Sequence, residues 1–163
     1  MKAVTNRDFC LSLADALGHK IKPVAIEVTR RALVKSGLLS KSLGRDYIEI
    51  TNKEAAIVCI AVVLPFSVTL NTDLIKEIAA IPHFIDELAQ YIDNSTGLES
   101  VTVSAEGASI KAKGERKYFG TEINDSDELT TINIQISKTV FSVACAELQN
   151  LKIDSGEMIT EEE

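Results

Sequence analysis

A run of ten apolar residues, Ala55 to Leu64, constrains the fold of this chain most strongly. Just before it, Thr51 and Glu54 have the spacing of a capping box, in which each side chain binds the other residue's backbone N–H at a helix start. Pro65 follows the run and predicts its end. A helix that is apolar on every side must be buried, and this one is too short to cross a bilayer, which takes about 20 residues. We therefore predict a central core helix; the alternative is a buried β-strand, which the capping box disfavours.

The periodicity of the chain changes near its middle. Apolar residues recur at helical spacing through residues 1–97, whereas residues 98–152 start with alternation typical of strands and end in one amphipathic helix. We predict an α+β fold, in which an N-terminal helical bundle resembling a helix-turn-helix precedes a small antiparallel sheet and a C-terminal helix. Residues 153–163 are expected to form an acidic tail.

Positive and negative charges are separated along the sequence. Residues 1–53 carry ten Lys and Arg against five Asp and Glu, whereas residues 54–163 carry seven against nineteen. A separated charge is more informative than the net charge, and the basic third is the place to expect a polyanionic partner. The alternative is that this basic cluster is only a solvated face.

Two short helices are predicted before the core helix. Asn6 is expected to cap the first, which carries the apolar stripe Phe9, Leu13 and Leu17 and ends at Gly18. The second begins at a proline, whose missing N–H costs nothing in a first turn, and ends before a glycine. The second helix begins at Pro23 and is closed by Gly37. Its expected core-facing residues are Ala25, Val28 and Ala32, with Leu39 beyond the turn.

Cationic residues cluster at the end of the second helix. Arg31 and Lys35 lie four residues apart on one face, with Arg30 beside them. This pattern is typical of a helix that presents cations to phosphates or base edges. The alternative is local, because Glu27 precedes Arg31 by four residues, which is the favoured spacing for an ion pair within a helix.

A basic loop follows that helix. Residues 40–44 have the composition of a turn, and Lys41 and Arg45 are expected at its tip, before a short strand at Tyr47–Ile50. Two small helices, a cationic helix end and a basic loop before a buried helix are the order of a helix-turn-helix with a wing-like loop.

Residues 24–64 resemble a known class of proteins. They combine Arg-Arg-Ala-Leu-Val-Lys-Ser-Gly-Leu-Leu, a basic loop with a glycine, Ile-Thr and an apolar helix rich in alanine. This order looks like that of small phage and prophage proteins that are presumed to be DNA-binding regulators. The loop here is poorer in Gly and Arg than in that class. The resemblance implies DNA contacts at Arg31, Lys35, Lys41 and Arg45.

Two further helices are expected after the core helix. Asn71 or Thr72 is expected to cap the first, and Pro82 separates it from the second. The second helix carries an apolar stripe and ends in a turn at residues 93–97. The lone His83 is interpreted as a structural or surface residue. The stripe consists of Ile85, Leu88, Ala89 and Ile92.

Residues 98–152 predict three strands and a helix. Residues 101–105 and 108–112 alternate around a tight turn and form a hairpin, residues 114–128 are expected to be an acidic loop, and residues 131–137 form the third strand. Ser137 is expected to cap the last helix, whose apolar stripe is core or interface.

Motifs of catalysis and cofactor binding are absent from the sequence. It contains no phosphate-binding glycine loop, no nucleophile elbow and no paired-histidine zinc motif. Cys10, Cys59 and Cys145 are scattered without metal-ligand spacing, which indicates free thiols and a cytoplasmic protein. We therefore expect no enzymatic activity, no cofactor, no metal and no membrane segment.

Two functions remain. In the first, the protein is a transcriptional regulator of phage or mobile-element type, in which residues 1–97 bind double-stranded DNA and residues 98–152 form a homodimer or take a partner. Its candidate DNA-binding residues are Arg30, Arg31, Lys35, Lys41 and Arg45. In the second, it is a non-enzymatic inhibitor or adaptor whose acidic second half meets a basic protein.

Overall fold

The computed structural model describes residues 3–18, 23–41, 48–64, 67–104, 107–120 and 134–154. Within these ranges, helices precede a four-stranded antiparallel sheet and a C-terminal helix follows it, so the protein is α+β as predicted. The helices and strands, in chain order, are α1 Asn6–Ala16, α2 Pro23–Lys35, α3 Asn52–Ala61, α4 Val68–Ala79, α5 Phe84–Asp93, β1 Leu98–Val103, β2 Gly107–Ala112, β3 Glu115–Gly120, β4 Ile134–Ser137 and α6 Lys138–Asp154.

Helix α3 is the core helix that the apolar run predicts. The Thr51 hydroxyl accepts from the Glu54 N–H at 3.2 Å, and the Glu54 carboxylate accepts from the Thr51 N–H at 2.9 Å, so the capping box is confirmed. Every residue from Glu54 to Ala61 is buried, and α1, α4, α5 and α6 all pack against this helix. A ten-residue helix without a polar face is stable here because its neighbours cover every side.

Helix α1 begins one residue earlier than predicted. Its cap is Thr5, which forms a capping box with Asp8, so the assignment of Asn6 as the cap is wrong. Thr and Asn are both good caps, and the acid three residues after Thr5 decides between them, since Phe9 stands at that position relative to Asn6. Phe9 and Leu13 are fully buried, as the apolar stripe predicts.

Helix α2 has a different buried face from the predicted one. Ile26 and Leu33 enter the core, whereas Val28 is 45% exposed, so its predicted core position is wrong. Apolar residues occur around most of this helix, so periodicity alone did not identify the packed side. The side chain of Ala25 lies outside the described part, and Leu39, beyond the helix, is buried as predicted.

Part of the predicted strand at Tyr47–Ile50 is described, and it is not a strand. Residues 48–50 have no ladder partner, although the Ile50 N–H donates to the Val4 carbonyl at 2.7 Å and Ile50 is buried. Tyr47 and Arg45 lie outside the described residues. This hydrogen bond holds the segment beside the start of α1.

Helix α4 begins a full turn before the predicted cap. Ser67 caps it, and Asn71 and Thr72 lie buried inside it, so the assignment of either as the cap is wrong. Asn71 Nδ2 donates to the Leu64 carbonyl at 3.2 Å, and Thr72 Oγ1 donates to the Val68 carbonyl at 2.7 Å. Both polar side chains are satisfied by nearby carbonyl groups, and the sequence does not distinguish this role from capping.

Helix α5 buries its predicted stripe, and His83 before it is exposed.

The strands lie in the order β3-β2-β1-β4. Val101 pairs with Ile110 of β2 on one side and with Ile136 of β4 on the other, which confirms the predicted hairpin and third strand where they are described. The predicted loop at residues 114–128 is wrong in its first part, because Glu115–Gly120 is strand β3. Phe119 is the only buried residue of this edge strand. The sequence of β3 therefore shows no alternation of apolar and polar residues that would identify a strand. Residues 121–128 lie outside the described part.

Helix α6 joins the sheet to the helical layer. It contacts α1, α3 and α5 as well as β1 and β4, and its predicted stripe is buried at Val140, Phe141, Ala144 and Leu148. Ser137 stands directly before it, and its hydroxyl accepts from the Thr139 N–H at 3.2 Å. One cluster of buried side chains has members from all ten helices and strands named above. The division predicted near residue 97 stays a prediction.

A candidate anion-binding groove

A groove of about 650 Å³ lies between the start of α1, the C-terminal half of α2 and residues 40–41. It brings together four of the five predicted site residues, while Arg45 lies outside the described residues. The groove also includes Arg7, which the sequence does not mark as a site residue because a single cation in a first helical turn forms no pattern. The lining residues are Thr5, Asn6, Arg7, Arg30, Arg31, Val34, Lys35, Ser40 and Lys41.

Arg30 is held by the protein itself. Its Nε and Nη2 donate to the two oxygens of Glu27 at 3.0 and 2.7 Å, and its Nη1 donates to Asn6 Oδ1 at 3.0 Å. The Arg30 side chain is only 16% exposed. Its hydrogen bonds hold the pKa of the Glu27 carboxyl below its usual value, and the same carboxylate raises the pKa of Arg30. Arg30 therefore fixes the geometry of the groove.

A chain of hydrogen bonds connects the groove to the core helix. Asn6 Nδ2 donates to the Ser40 carbonyl at 2.7 Å, and the Ser40 N–H donates to Glu54 Oε1 at 2.5 Å. Glu54 is buried and also accepts from the Thr51 N–H at the cap of α3. One carboxylate thus caps the core helix and holds one wall of the groove. This network holds the Arg30 side chain and the backbone of Ser40 in place.

The other four cations of the groove are exposed. Arg31 is 73% exposed and makes a single contact of 3.3 Å to Glu27 through Nε. The local ion pair that the sequence offers as an alternative is therefore present, but it uses one donor of an exposed guanidinium and contributes little stability. Arg7, Lys35 and Lys41 are exposed and have no ion pair with any residue in the described ranges.

The groove is positive because cations line it and no acidic residue of the described ranges does. Glu27 neutralises Arg30 and partly neutralises Arg31, which leaves Arg7, Lys35 and Lys41 without a compensating carboxylate in the described part of the chain. The N-terminal end of α1 lies at the same place, where the Asp8 carboxylate of its capping box complements the helix dipole. Such a surface attracts phosphates and other anions.

Other forms of chemistry find no support in the described residues. Burial raises the pKa of the Cys10 thiol to about 12 and also raises that of Cys59, so both stay protonated and packed at neutral pH. No cluster of His, Cys, Asp and Glu in the described ranges is arranged to hold a metal ion. Among the same residues, none of the helices has the length and apolar character to cross a membrane.

Comparison of the chain with models of known protein families, with curated proteins and with solved structures found no match.

Proposed function

We propose that the protein binds double-stranded DNA through this groove, as a transcriptional regulator of phage or mobile-element type. The observation that carries the proposal is the set of exposed cations around a groove that no acidic residue of the described ranges lines. The resemblance of residues 24–64 to presumed phage regulators supports the same class. In this proposal the protein acts in the cytoplasm as a homodimer, which would match a palindromic site.

Helix α2 is the element that meets the DNA. Its exposed residues Val28, Arg31 and Lys35 follow one another at helical spacing and form one continuous stripe. Arg31 and Lys35 contact phosphates or base edges, while Val28 offers an apolar surface of the kind that contacts a thymine methyl group. Arg7 and Lys41, from the two walls of the groove, contact the adjoining phosphates. Arg30 stays bound to Glu27 and Asn6 and makes no DNA contact in this proposal.

Salt dependence of binding tests the proposal. Labelled duplex DNA is titrated with the protein at several salt concentrations between about 50 and 200 mM, where counterion release from phosphates is readily measured. The double variant Arg31→Ala/Lys35→Ala is expected to bind more weakly and to lower the salt slope by about 2. The matched control, Lys76→Ala/Lys138→Ala, removes the same charge at exposed positions outside the groove.

The outcomes separate the two functions raised by the sequence. No binding by the wild type at low salt would overturn the proposal and favour the protein-interaction module. Equal losses in the groove variant and the control variant would show that only net charge matters, which would overturn the assignment of the groove. Sedimentation of the free and DNA-bound protein tests the homodimer.

A further inference from the structure

The β2–β3 hairpin is the basic part of an otherwise acidic region. Residues 54–163 contain seven Lys and Arg, and four of them lie between residues 111 and 117, alongside the single acid Glu115. The sequence does not predict this cluster, because residues from 114 onward have the composition of an acidic loop. The four basic residues are Lys111, Lys113, Arg116 and Lys117.

The hairpin holds these charges in a fixed arrangement. Ala112 pairs with Glu115 across a two-residue turn, in which Lys113 and Gly114 have φ of 52° and 81°. Positive φ at both central residues is the geometry of a type I′ turn, whose twist matches that of the strands. Lys111 pairs with Arg116 in this register, so the two side chains stand next to each other on one face.

Two like charges at directly opposed positions are unfavourable in a sheet. Arg116 uses one donor, Nη1, on Ser109 Oγ at 3.1 Å, and Lys111 reaches only a distant oxygen of Glu99, at 3.9 Å. Tyr118 lies next along the same face of β3, opposite Ser109, and is 46% exposed. A phosphate between the two cations would remove the repulsion, and a tyrosine hydroxyl is a further donor to phosphate oxygens.

Lys117, on the face of β3 opposite to that of Arg116 and Tyr118, links the middle of the hairpin to the helix starts that support the groove. Lys117 pairs with Glu87 in the first turn of α5 at 3.4 Å, and the neighbouring Asp86 pairs with Lys53 of α3 at 2.6 Å. The next residue of α3 is Glu54, which holds Ser40 at the groove wall. Helices α3 and α5 pack against each other. Their N-terminal ends therefore connect the groove to the hairpin.

We propose that Lys111, Arg116 and Tyr118 form a second phosphate-binding surface, the hairpin patch, which contacts the same DNA duplex as the groove. This inference rests on the proposed function and extends the contacted surface from the helices to the sheet. The charge of the patch fits a polyanion, and the strand pairing with its type I′ turn holds the backbone of these residues in register. The ion pair of Lys111 with Glu99 is exposed and weak, so a phosphate replaces it at little cost.

The test compares salt slopes of the full chain and its variants on one duplex. The hairpin variant Lys111→Gln/Arg116→Gln is expected to bind more weakly and to lower the salt slope by about 2. Its Tm is expected to change little, because the repulsion between the two side chains is removed while the hydrogen bond from Arg116 to Ser109 is lost. A merely structural role for these residues would instead lower the Tm and leave the slope of the folded protein unchanged. Lys76→Gln/Lys138→Gln is the matched control of equal charge.

Combining the variants tests whether one duplex touches both surfaces. With Arg31→Ala/Lys35→Ala added, the losses in slope are expected to add, and each protomer or dimer is expected to bind a single duplex. A hairpin variant with the slope of the control, beside a defective groove variant, would overturn the hairpin patch and leave the proposed function standing. Absence of any duplex binding by the wild type would overturn both. A second bound duplex that the hairpin variant loses would overturn the claim of a shared duplex.

Discussion

Neighbouring residues of α2 illustrate what sequence shows about the groove. Arg30 and Arg31 are adjacent and chemically identical, and both were predicted as DNA contacts. In the fold, Arg30 is bound to Glu27 and Asn6, whereas Arg31 is largely exposed. The contact to Asn6 spans 24 positions, so only the packing of α1 on α2 creates it. Sequence periodicity placed Arg30 and Arg31 in one cationic cluster but did not separate the residue that is held within the protein from the one that is exposed.

The Glu27–Arg30 pair gives stability a defined dependence on pH. The pKa of Glu27 is lowered in the folded protein from an ordinary value of 4.5, chiefly by the hydrogen bonds from Arg30. Its contribution is therefore fully present above the unfolded pKa and is lost as the pH falls through the lower, folded pKa. We expect Glu27→Gln to lower the free energy of unfolding by about 1–2 kcal/mol at neutral pH and to have little effect in strong acid.

Denaturant titrations of the wild type and Glu27→Gln at neutral and acidic pH measure this difference. Asp15→Asn is the control, because that acid is exposed and is not part of any ion pair within the described ranges. A difference that stays constant down to pH values well below 4.5 would contradict the assigned linkage.

At the scale of the elements, helices with clear capping chemistry were predicted and weakly marked elements were not. The capping box of α3 confirms an assignment made from two residues at fixed spacing. Strand β3 was missed because it lies at the sheet edge and buries only Phe119, against Phe84 of α5. An edge strand with charged residues on both faces has no alternation that distinguishes it from a loop. The missed strand also hid the hairpin patch.

Two capping boxes allow the link between α3 and the groove to be measured. Glu54→Ala removes the acceptor for the N–H groups of both Thr51 and Ser40, whereas Asp8→Ala removes only the local bonds at Thr5. We expect losses of about 2–4 kcal/mol for Glu54→Ala and about 1 kcal/mol for Asp8→Ala. Chemical denaturation measures both values.

The same pair of variants also tests the supporting role of Glu54 in binding. Where the variants remain folded, Glu54→Ala is expected to weaken DNA binding more than Asp8→Ala does, since only Glu54 holds Ser40 and the groove wall next to Lys41. Equal stabilities and equal affinities of the two variants would mean that the Ser40 contact contributes nothing to either property.

The whole molecule is organised around a core to which both halves of the chain contribute. Helix α6, from the C-terminal half, packs against α1 and α3. The Ser12 hydroxyl of α1 donates to the Glu147 carboxylate of α6 at 2.5 Å, and this hydrogen bond joins residues 135 positions apart. The sequence predicted the apolar stripe of α6, but it did not show whether this stripe covers the sheet, the helices or a second protomer.

This arrangement predicts one cooperative unfolding transition for the described fold. Phe141 of α6 is fully buried in the cluster that contains side chains of both the helices and the sheet. Phe141→Ala is expected to cost about 3–5 kcal/mol and to move the loss of helix and the loss of sheet together to lower denaturant. Far-UV circular dichroism follows the helices, and Tyr118 fluorescence follows β3 once Tyr47 and Tyr91 are changed to Phe. The chain has no tryptophan to obscure that signal. Coincident transitions are expected, whereas earlier loss of the Tyr118 signal would mean that the region after residue 97 unfolds as a separate domain.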